Sequence, residues 1–244
     1  MHEKTPSIMN IIATIRSPYK QKFAIPRQPN LVKEAHGEIV FEKEFSDPNC
    51  LREIEQFSHL WLIFIFHASA EKGWSPTVQP PRLGGKESIG VFATRSTFRP
   101  NPIGLSVVEN LGWKKKGTSL LLQVGGLDLL DGTPIIDIKP YLPYADALPQ
   151  AKAGFAELAP SSDYEIEFSA EAERSLAELK SQYPELKNFI TSVLKQDPRP
   201  AWRKKEFDDK RYGMSLYDFN IKWHVHEKQI HVISITSDST PNVS

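Results

Sequence analysis

The sequence has little cysteine, and this excludes two classes of site. Cys50 is the only cysteine among 244 residues, so no disulfide can form within the chain and no cysteine cluster can bind a metal. The seven histidines lack the spacing of metal ligands. His224 and His226 are two positions apart, which is the spacing of residues on one face of a strand. The sequence therefore predicts no metal site.

Long hydrophobic runs are also missing. No stretch approaches the roughly 20 apolar residues of a membrane-spanning helix, and residues 1–6 contain no apolar signal-peptide centre. Hydrophobic residues make up 40% and charged residues 25% of the chain, which is the composition of an ordinary globular protein. We therefore predict a cytoplasmic protein without membrane contact.

The chain has no net charge, because 30 lysines and arginines balance 30 acidic residues. A strongly basic protein that would attract any polyanion is thereby excluded. The charge is nevertheless unevenly distributed: residues 14–33 contain five basic residues and no acidic one, residues 161–187 are acidic, and residues 195–212 are again basic. Local basic surfaces of this kind still allow an RNA to bind.

Short apolar runs separated by proline and glycine turns fill the first 140 residues, where we predict about seven strands and one short helix beginning at Asp47. The run 60–66 is apolar throughout, which predicts a strand buried on both sides, and residues 91–94 alternate like a further strand. Regular alternation of strands and helices is absent, as is a Gly-x-Gly-x-x-Gly motif. These patterns predict a mainly β fold with an N-terminal single-sheet β-barrel.

The pattern changes to α+β towards the C-terminus. Ser169 is the predicted N-cap of a helix that ends at Pro184, and a second amphipathic helix follows it. Residues 215–225 and 229–236 are predicted to form two strands. The predicted organisation is a barrel domain (residues 1–145), a linker (146–162) and a small α+β domain (163–244).

Three loops of the N-terminal domain place an arginine beside prolines. Arg95 and Arg99 lie on a segment that two prolines stiffen, and the other two loops carry Arg27 and Arg82. Guanidinium groups suit carboxylates and phosphates, which they can bind bidentately. Three such loops suggest a site for an anionic ligand, although each loop alone is typical of a surface turn with a solvated arginine.

Five segments together resemble one protein family. They are residues 26–29, 80–85, 95–106, 126–141 and 197–200. Over its whole length the chain is similar to the TrmO (TsaA-like) family of S-adenosylmethionine-dependent tRNA methyltransferases. The resemblance implies a homodimer with the cofactor near the subunit boundary. It also implies methylation of the N6 nitrogen of threonylcarbamoyladenosine, the modified base next to the anticodon of threonine tRNAs.

The resemblance further implies a set of cofactor-binding residues. The matching positions are Pro26, Arg27, Gln28, His67, Ala68, Arg95, Leu105, Asp128, Leu129, Leu130 and Asp131. The chemistry of S-adenosylmethionine agrees, since Arg27 or Arg95 suits its carboxylate. Asp128 or Asp131 suits the ribose diol as an acceptor, and Leu105 suits the adenine.

Substrate binding requires further cationic and aromatic groups. The threonyl arm of the base carries a carboxylate, for which Arg82 or Arg99 is available. The basic C-terminal stretch is expected to contact the anticodon stem-loop through Arg199, Trp202, Arg203, Lys204 and Lys205. Trp202 stands where relatives commonly carry tyrosine, and it would retain a stacking role. No residue is identified as the catalytic base.

Alternatives remain open at this point. A non-catalytic RNA-binding module would use the same arginines for phosphates and Trp202 for stacking. A hydrolase would use Ser96 or Ser106 as its nucleophile, but the Gly-x-Ser-x-Gly motif is absent. The pattern fits an Asx-turn at Asp131 equally well, and the position of His67 at the end of a strand fits a structural residue. For the methyltransferase, deleting residues 163–244 is expected to weaken tRNA binding far more than cofactor binding.

Overall fold

The computed structural model describes residues 9–85, 87–158, 163–199 and 210–237. The strands are β1 (Ala13–Arg16), β2 (Gly37–Phe41), β3 (His59–Ile65), β4 (Thr77–Val78), β5 (Ile89–Gly90), β6 (Ile103–Lys116), β7 (Ser119–Gly125), β8 (Pro134–Pro140), β9 (Glu165–Phe168), β10 (Tyr212–Leu216), β11 (Phe219–His226) and β12 (Gln229–Ser237). The α-helices are α1 (Pro143–Asp146), α2 (Ala170–Leu179) and α3 (Leu186–Lys195). Short 3₁₀ helices include Pro48–Leu51, His67–Lys72, Pro81–Leu83 and Val91–Ala93.

Six strands form one closed sheet in the order β1-β2-β7-β6-β3-β8. The sheet closes because β1 pairs with both β2 and β8: Thr14 lies opposite Val40 on one side and Pro134 on the other. These pairs are antiparallel. The prediction of a mainly β fold is confirmed, with six strands in this sheet where about seven were expected. No helix of the described residues is long and apolar enough to cross a membrane.

Strand β3 is buried on one face only. Leu60, Leu62 and Phe64 point into the core, whereas Trp61 and Ile63 at alternate positions are partly exposed. The prediction of a strand buried on both sides is therefore wrong. A single sheet that closes on itself encloses a core on its inner face alone, so an apolar run along it leaves every second side chain outside.

Residues 91–94 form no strand. Val91–Ala93 make a 3₁₀ turn, and the amide and hydroxyl of Thr94 both donate to the carbonyl oxygen of Val91, at 3.2 and 2.9 Å. Val91 is buried, whereas Phe92 is 77% exposed. The alternating pattern of residues 91–94, which predicted a strand, therefore belongs to a tight turn that buries one side chain.

Two predicted helix starts are confirmed. Asp47 accepts a hydrogen bond from the amide of Asn49 at 2.9 Å and begins the 3₁₀ helix Pro48–Leu51. Ser169 accepts from the amide of Ala172 at 3.1 Å and begins α2. In each case a short polar side chain satisfies an amide that has no partner within the helix.

The C-terminal region is a four-stranded sheet in the order β10-β11-β12-β9, with β9 parallel to β12. Helix α2 packs against β12, and α3 contacts β9. The predicted strand 215–225 is in fact parts of β10 and β11, because Tyr217 adopts a φ of 51° and reverses the chain. The α+β prediction is confirmed here, and β9 is a strand that the sequence reasoning missed.

The two regions share one apolar core. The rings of Tyr19 and Phe189 lie 5.8 Å apart between centroids, and both residues are buried. The amide of Tyr217 donates to the carbonyl oxygen of Pro18 at 2.7 Å. Because Tyr19 packs against α3, deleting residues 163–244 would expose this core, so the deletion does not separate tRNA binding from folding.

Candidate active site

A cavity of about 540 Å³ lies where four segments of the N-terminal region meet. The lining residues lie within the segments 22–28, 61–69, 94–106 and 128–133. This volume is in the range of pockets that bind cofactor-sized molecules.

The cavity brings together most of the predicted cofactor residues. Its lining includes Pro26, Arg27, Gln28, His67, Ala68, Arg95, Leu105, Asp128, Leu129 and Leu130. Arg99, predicted to bind the substrate, also lines it, whereas Asp131 and Arg82 do not. Since the contributing segments are far apart in sequence, only the folded sheet places them side by side.

Arg95 and Arg99 are used differently. The exposed guanidinium of Arg95 donates to the side-chain oxygen of Gln28, so it bridges two walls of the cavity. Arg99 folds back onto its own loop, where it donates to the carbonyl oxygens of Val91 at 3.2 Å and Thr94 at 2.8 Å. Arg99 therefore stiffens the loop that presents Arg95.

Asp128 is held in place by its neighbours along the chain. Gly126 takes a φ of 68° just after β7, and its carbonyl oxygen accepts from the amide of Asn30 at 2.9 Å. Leu127 and Leu129 on either side of Asp128 are buried in the core. These anchors leave the intervening carboxylate facing the cavity.

The Asp128 carboxylate has an unusual electrostatic environment. Ser106, on the inner face of β6, donates its hydroxyl to Oδ1 of Asp128 at 2.7 Å. Burial raises the pKa of Asp128 to about 6, although the Ser106 hydrogen bond and the positive charge of Arg95 act in the opposite direction. The group is therefore a stronger base than an ordinary surface aspartate.

His67 lies at the start of the 3₁₀ helix that follows β3. Burial lowers its pKa from 6.5, and the nearby charge of Lys22 acts in the same direction. The ammonium group of Lys22 donates to the carbonyl oxygen of Ala68 at 2.7 Å. His67 is thus a neutral imidazole at physiological pH.

Asp131 contacts a distant segment of the chain. It accepts from the backbone amide of Ser17 at 2.8 Å and forms an ion pair with Lys20 at 2.7 Å. Ser17 in turn donates its hydroxyl to the carbonyl oxygen of Leu129 at 2.7 Å. These contacts join Asp131 to a distant segment of the chain and are not those of the Asx-turn considered for it. Asp131 does not line the cavity, and a cofactor contact for it stays a prediction.

Arg199 is structural. It is 4% exposed, and its Nε and Nη2 donate to the two carboxylate oxygens of Asp197 at 2.9 and 3.2 Å. Nη2 also donates to the hydroxyl of Tyr164 at 2.6 Å. A guanidinium so enclosed is not available to a tRNA phosphate, so the arrangement does not support the prediction of substrate binding by Arg199.

Of the remaining predicted substrate residues, the structure describes Arg82 alone. It is exposed in the 3₁₀ helix Pro81–Leu83 and does not line the cavity. The other four fall outside the described residues: Trp202, Arg203, Lys204 and Lys205. The described residue Asp197, which precedes them in the sequence, acts electrostatically on the cavity residue Arg27: its charge opposes the lowering of the Arg27 pKa that desolvation causes.

Sequence reasoning missed two residues that shape the cavity. Ser106 was considered only as a nucleophile, yet it is 1% exposed and donates to a carboxylate, which does not support a hydrolase. Gly104 lies against the ring of Phe64, where a Cβ atom would collide with the ring. The only signal for Gly104 in the sequence is that a glycine stands inside a predicted strand, between residues with larger side chains. No group of three metal-binding side chains occurs in the part of the chain that the structure describes.

Two family models match consecutive parts of the chain. The model described as tRNA-methyltransferase O N-terminal domain matches residues 14–147, and the TrmO C-terminal domain matches residues 161–238. The chain belongs to the TrmO family.

Individual TrmO relatives are similar over most of their length. The tRNA (adenine(37)-N6)-methyltransferase of Escherichia coli K12 is 52% identical over 224 residues, which covers 92% of this chain and 95% of the relative. A putative S-adenosylmethionine-dependent methyltransferase of Pseudomonas aeruginosa, RcsF, is 46% identical over 217 residues, or 87% and 90% of the two chains. A crystal structure of TrmO from Pseudomonas aeruginosa superposes with a TM-score of 0.79 at 37% identity, covering 96% of this chain and 100% of that chain.

Proposed function

We propose that this enzyme methylates the N6 nitrogen of threonylcarbamoyladenosine next to the anticodon of threonine tRNA. The chain is a tRNA methyltransferase that uses S-adenosylmethionine and acts on N6 of adenine 37, in line with its family and with the E. coli relative. The alternative of a non-catalytic RNA-binding module is therefore not retained. The threonylcarbamoyl group and the threonine tRNA are the further steps that we propose.

The cavity carries this proposal, because ten of the eleven cofactor residues expected from the family line it. Arg95 and Arg27 offer guanidinium groups to the carboxylate of S-adenosylmethionine. Leu105 is 52% exposed and offers an apolar surface to the adenine. When bound, the cofactor supplies a reactive methyl group, and the protein supplies orientation and electrostatics.

A second anionic group can be accommodated beside the first. The threonyl arm of the base ends in a carboxylate, and Arg99 lines the same cavity as Arg95. The exposed Arg82 lies outside the lining and is proposed to contact the substrate from a different direction. Arg99 uses Nη1 for the carbonyl oxygens of its own loop, so its other guanidinium donors are the ones that we propose for this carboxylate.

The tRNA itself is proposed to contact the basic C-terminal stretch. Because Arg199 is engaged by Asp197, we retain from the predicted set Trp202, Arg203, Lys204 and Lys205, which follow the Asp197–Arg199 pair along the chain. The proximity of Asp197 to Arg27 supports a tRNA path that leads to the cavity.

We further propose a cytoplasmic homodimer. The outer face of the closed sheet supports a self-association surface next to the cavity, because Trp61 and Ile63 are partly exposed there and Trp61 itself lines the cavity. Burial of such adjacent apolar side chains against a second copy would remove them from water.

Methyl transfer to two forms of threonine tRNA tests the proposed function. One form carries threonylcarbamoyladenosine at position 37, and the other is a transcript with unmodified adenine. We expect mass spectrometry of the digested tRNA to detect the added methyl group only on the modified form. Equal methylation of both tRNAs would contradict the proposed substrate. The Arg95→Ala variant, assayed at limiting cofactor, should show reduced transfer to the modified tRNA.

Binding across a salt series tests the tRNA contacts separately. Neutralising Arg203, Lys204 and Lys205 together should weaken tRNA binding and make its salt dependence shallower, because fewer counterions are released. The affinity for S-adenosylmethionine should not change. Equal salt slopes for the variant and the wild type would assign the tRNA contacts elsewhere.

A further inference from the structure

We propose that Asp128 accepts the proton that leaves the substrate nitrogen when the methyl group is transferred. This inference rests on the proposed function, because it requires a target nitrogen that carries a proton and is a weak nucleophile. It assigns to Asp128 a catalytic role in place of the ribose contact that the sequence suggested.

The reaction requires such an acceptor. The N6 lone pair is delocalised into the purine and the adjacent carbonyl group, so the nitrogen attacks only as its proton leaves. As the new nitrogen–carbon bond forms, the carbon–sulfur bond breaks and its electron pair stays on sulfur, which becomes a neutral thioether. The proton passes to a carboxylate oxygen of Asp128 and is later released to water.

The composition of the cavity narrows the choice of base. The lysine and arginine side chains that line it offer hydrogen-bond donors and no acceptor: Lys22, Arg27, Arg95 and Arg99. Asp128 is the one carboxylate among the described residues that line the cavity, and His67 is the other titratable group there with a lone pair to offer.

The hydrogen bonding of Asp128 leaves it able to act as a base. Ser106 donates to one carboxylate oxygen at 2.7 Å, which fixes the carboxyl plane, and no ion pair engages Asp128 within the described ranges. Asp131, three residues later, is by contrast paired with Lys20 at 2.7 Å. The Asp128 carboxylate is therefore oriented by a neutral hydroxyl rather than by a cation.

The groups that face Asp128 also suit this role. Tyr19 lies on one side, Ser106 on β6 donates a hydrogen bond, and Arg95 acts from across the cavity. Burial raises the pKa of Asp128 to about 6, closer to physiological pH than for an exposed aspartate. Because a general base is most effective with a pKa near the working pH, this shift favours proton transfer while leaving most molecules ionised at neutral pH.

The pH dependence of kcat tests the inference, measured with saturating S-adenosylmethionine and modified tRNA between about pH 5 and 9. Asp128→Asn should lower kcat at least about 100-fold at neutral pH. Asn keeps the shape and an acceptor oxygen, so cofactor affinity measured by calorimetry should be little changed. The wild-type rate should fall on the acid side as Asp128 becomes protonated.

Ser106→Ala provides a readout that a structural role would not move. Loss of its hydrogen bond removes a contact that stabilises the carboxylate, so the acid limb of the wild-type profile should move to higher pH. Ser106→Thr should restore its position because threonine keeps the hydroxyl. His67→Gln should leave the acid limb in place.

Three results would overturn the assignment. The first is an Asp128→Asn enzyme with normal kcat at saturating cofactor but weakened cofactor binding, which would make Asp128 a binding residue only. The second is a dependence of kcat on pH whose fall on the acid side stays at the same pH in Ser106→Ala. The third is the loss of that fall in His67→Gln. If the wild type methylates unmodified adenine 37 equally well, the proposed function fails, yet the same comparison of kcat values on that tRNA still tests Asp128.

Discussion

The cavity and the segment 197–199 each contain an arginine on a proline-containing stretch of chain, but the two arginines have opposite roles. Arg95 is exposed in the cavity and contacts only the neutral Gln28 among the hydrogen bonds of the described residues. Arg199 is 4% exposed and is enclosed by Asp197 and Tyr164. Both arginines lie on proline-containing segments, so burial and the available partner decide whether an arginine serves a ligand or the fold.

The two arrangements also differ in energetic terms. An exposed guanidinium costs little to remove, because water replaces its contacts. Removing one partner of a buried ion pair leaves an uncompensated charge in the protein, which is far more destabilising. Variants at the two sites should therefore separate stability from ligand binding, and the predictions below run from the largest effect on stability to the smallest.

Arg199→Ala should lower the free energy of unfolding by about 3–5 kcal/mol, because it removes one partner of the buried ion pair between Arg199 and Asp197. Urea unfolding followed by circular dichroism measures this change. Arg95→Ala is the matched control and should change stability by less than about 0.5 kcal/mol. A similar loss in both variants would remove the distinction between the two arginines.

Gly126→Ala should destabilise the protein and weaken cofactor binding together. Alanine at a φ of 68° costs about 1–2 kcal/mol, and the added Cβ would also collide with the side chain of Asn30. Gly132 has a φ of 75° with open space around it, so Gly132→Ala is a control that carries the conformational cost alone. Urea unfolding and cofactor titration of both variants check the prediction, which fails if the two lose equal stability.

Asp128→Asn should stabilise the folded protein at neutral pH. The pKa of Asp128 is raised from 3.8 to about 6, so the folded state binds a proton more readily than the unfolded state between these values. Stability therefore falls as pH rises through this window, and above it the ionised carboxylate costs about 3 kcal/mol. Urea unfolding at neutral pH should show the gain in the variant. At a pH below 3.8, where both forms are neutral, the difference should vanish. A variant that is less stable than the wild type at both pH values would contradict this account.

Tyr19→Phe should have the smallest effect. The Tyr19 hydroxyl is buried and has no hydrogen-bond partner in the described part of the molecule. Its removal should change the free energy of unfolding by about 0.5 kcal/mol or less, or stabilise the protein slightly, because a desolvated polar group is lost. Phe189→Ala, which removes the ring packed against Tyr19, is the contrasting variant and should cost about 3–5 kcal/mol. A large loss of stability in Tyr19→Phe would contradict this prediction, because it would mean that the hydroxyl has a hydrogen-bond partner.

Features that depend on nearby residues could be predicted from the sequence. Asp47 and Ser169 were identified as helix caps because capping involves residues only two or three positions away. The turn at Tyr217 was missed because a bulky residue with positive φ gives no turn signal of the kind that glycine or asparagine gives. The mainly β class followed from the short apolar runs, but the strand at 91–94 did not form.

The roles of single site residues depended on partners far along the chain. The family resemblance supplied the residues that the cavity brings together. It could not show that Asp131 is engaged by Lys20, or that Arg199 is enclosed with Tyr164, because those partners lie 111 and 35 positions away. The contact between Ser106 and Asp128 was hidden for the same reason, since only the fold brings them within 2.7 Å.

The most direct test of the central claim is calorimetric titration of S-adenosylmethionine into wild type, Arg95→Ala and Arg82→Ala. Arg82 is an exposed arginine on a similar proline-containing loop that does not line the cavity, so it is the matched control. We expect Arg95→Ala to lose about 10- to 100-fold in affinity with an unchanged melting temperature. Arg82→Ala should bind like the wild type. If Arg95→Ala folds normally and binds the cofactor with wild-type affinity, the cavity is not the cofactor site that we describe.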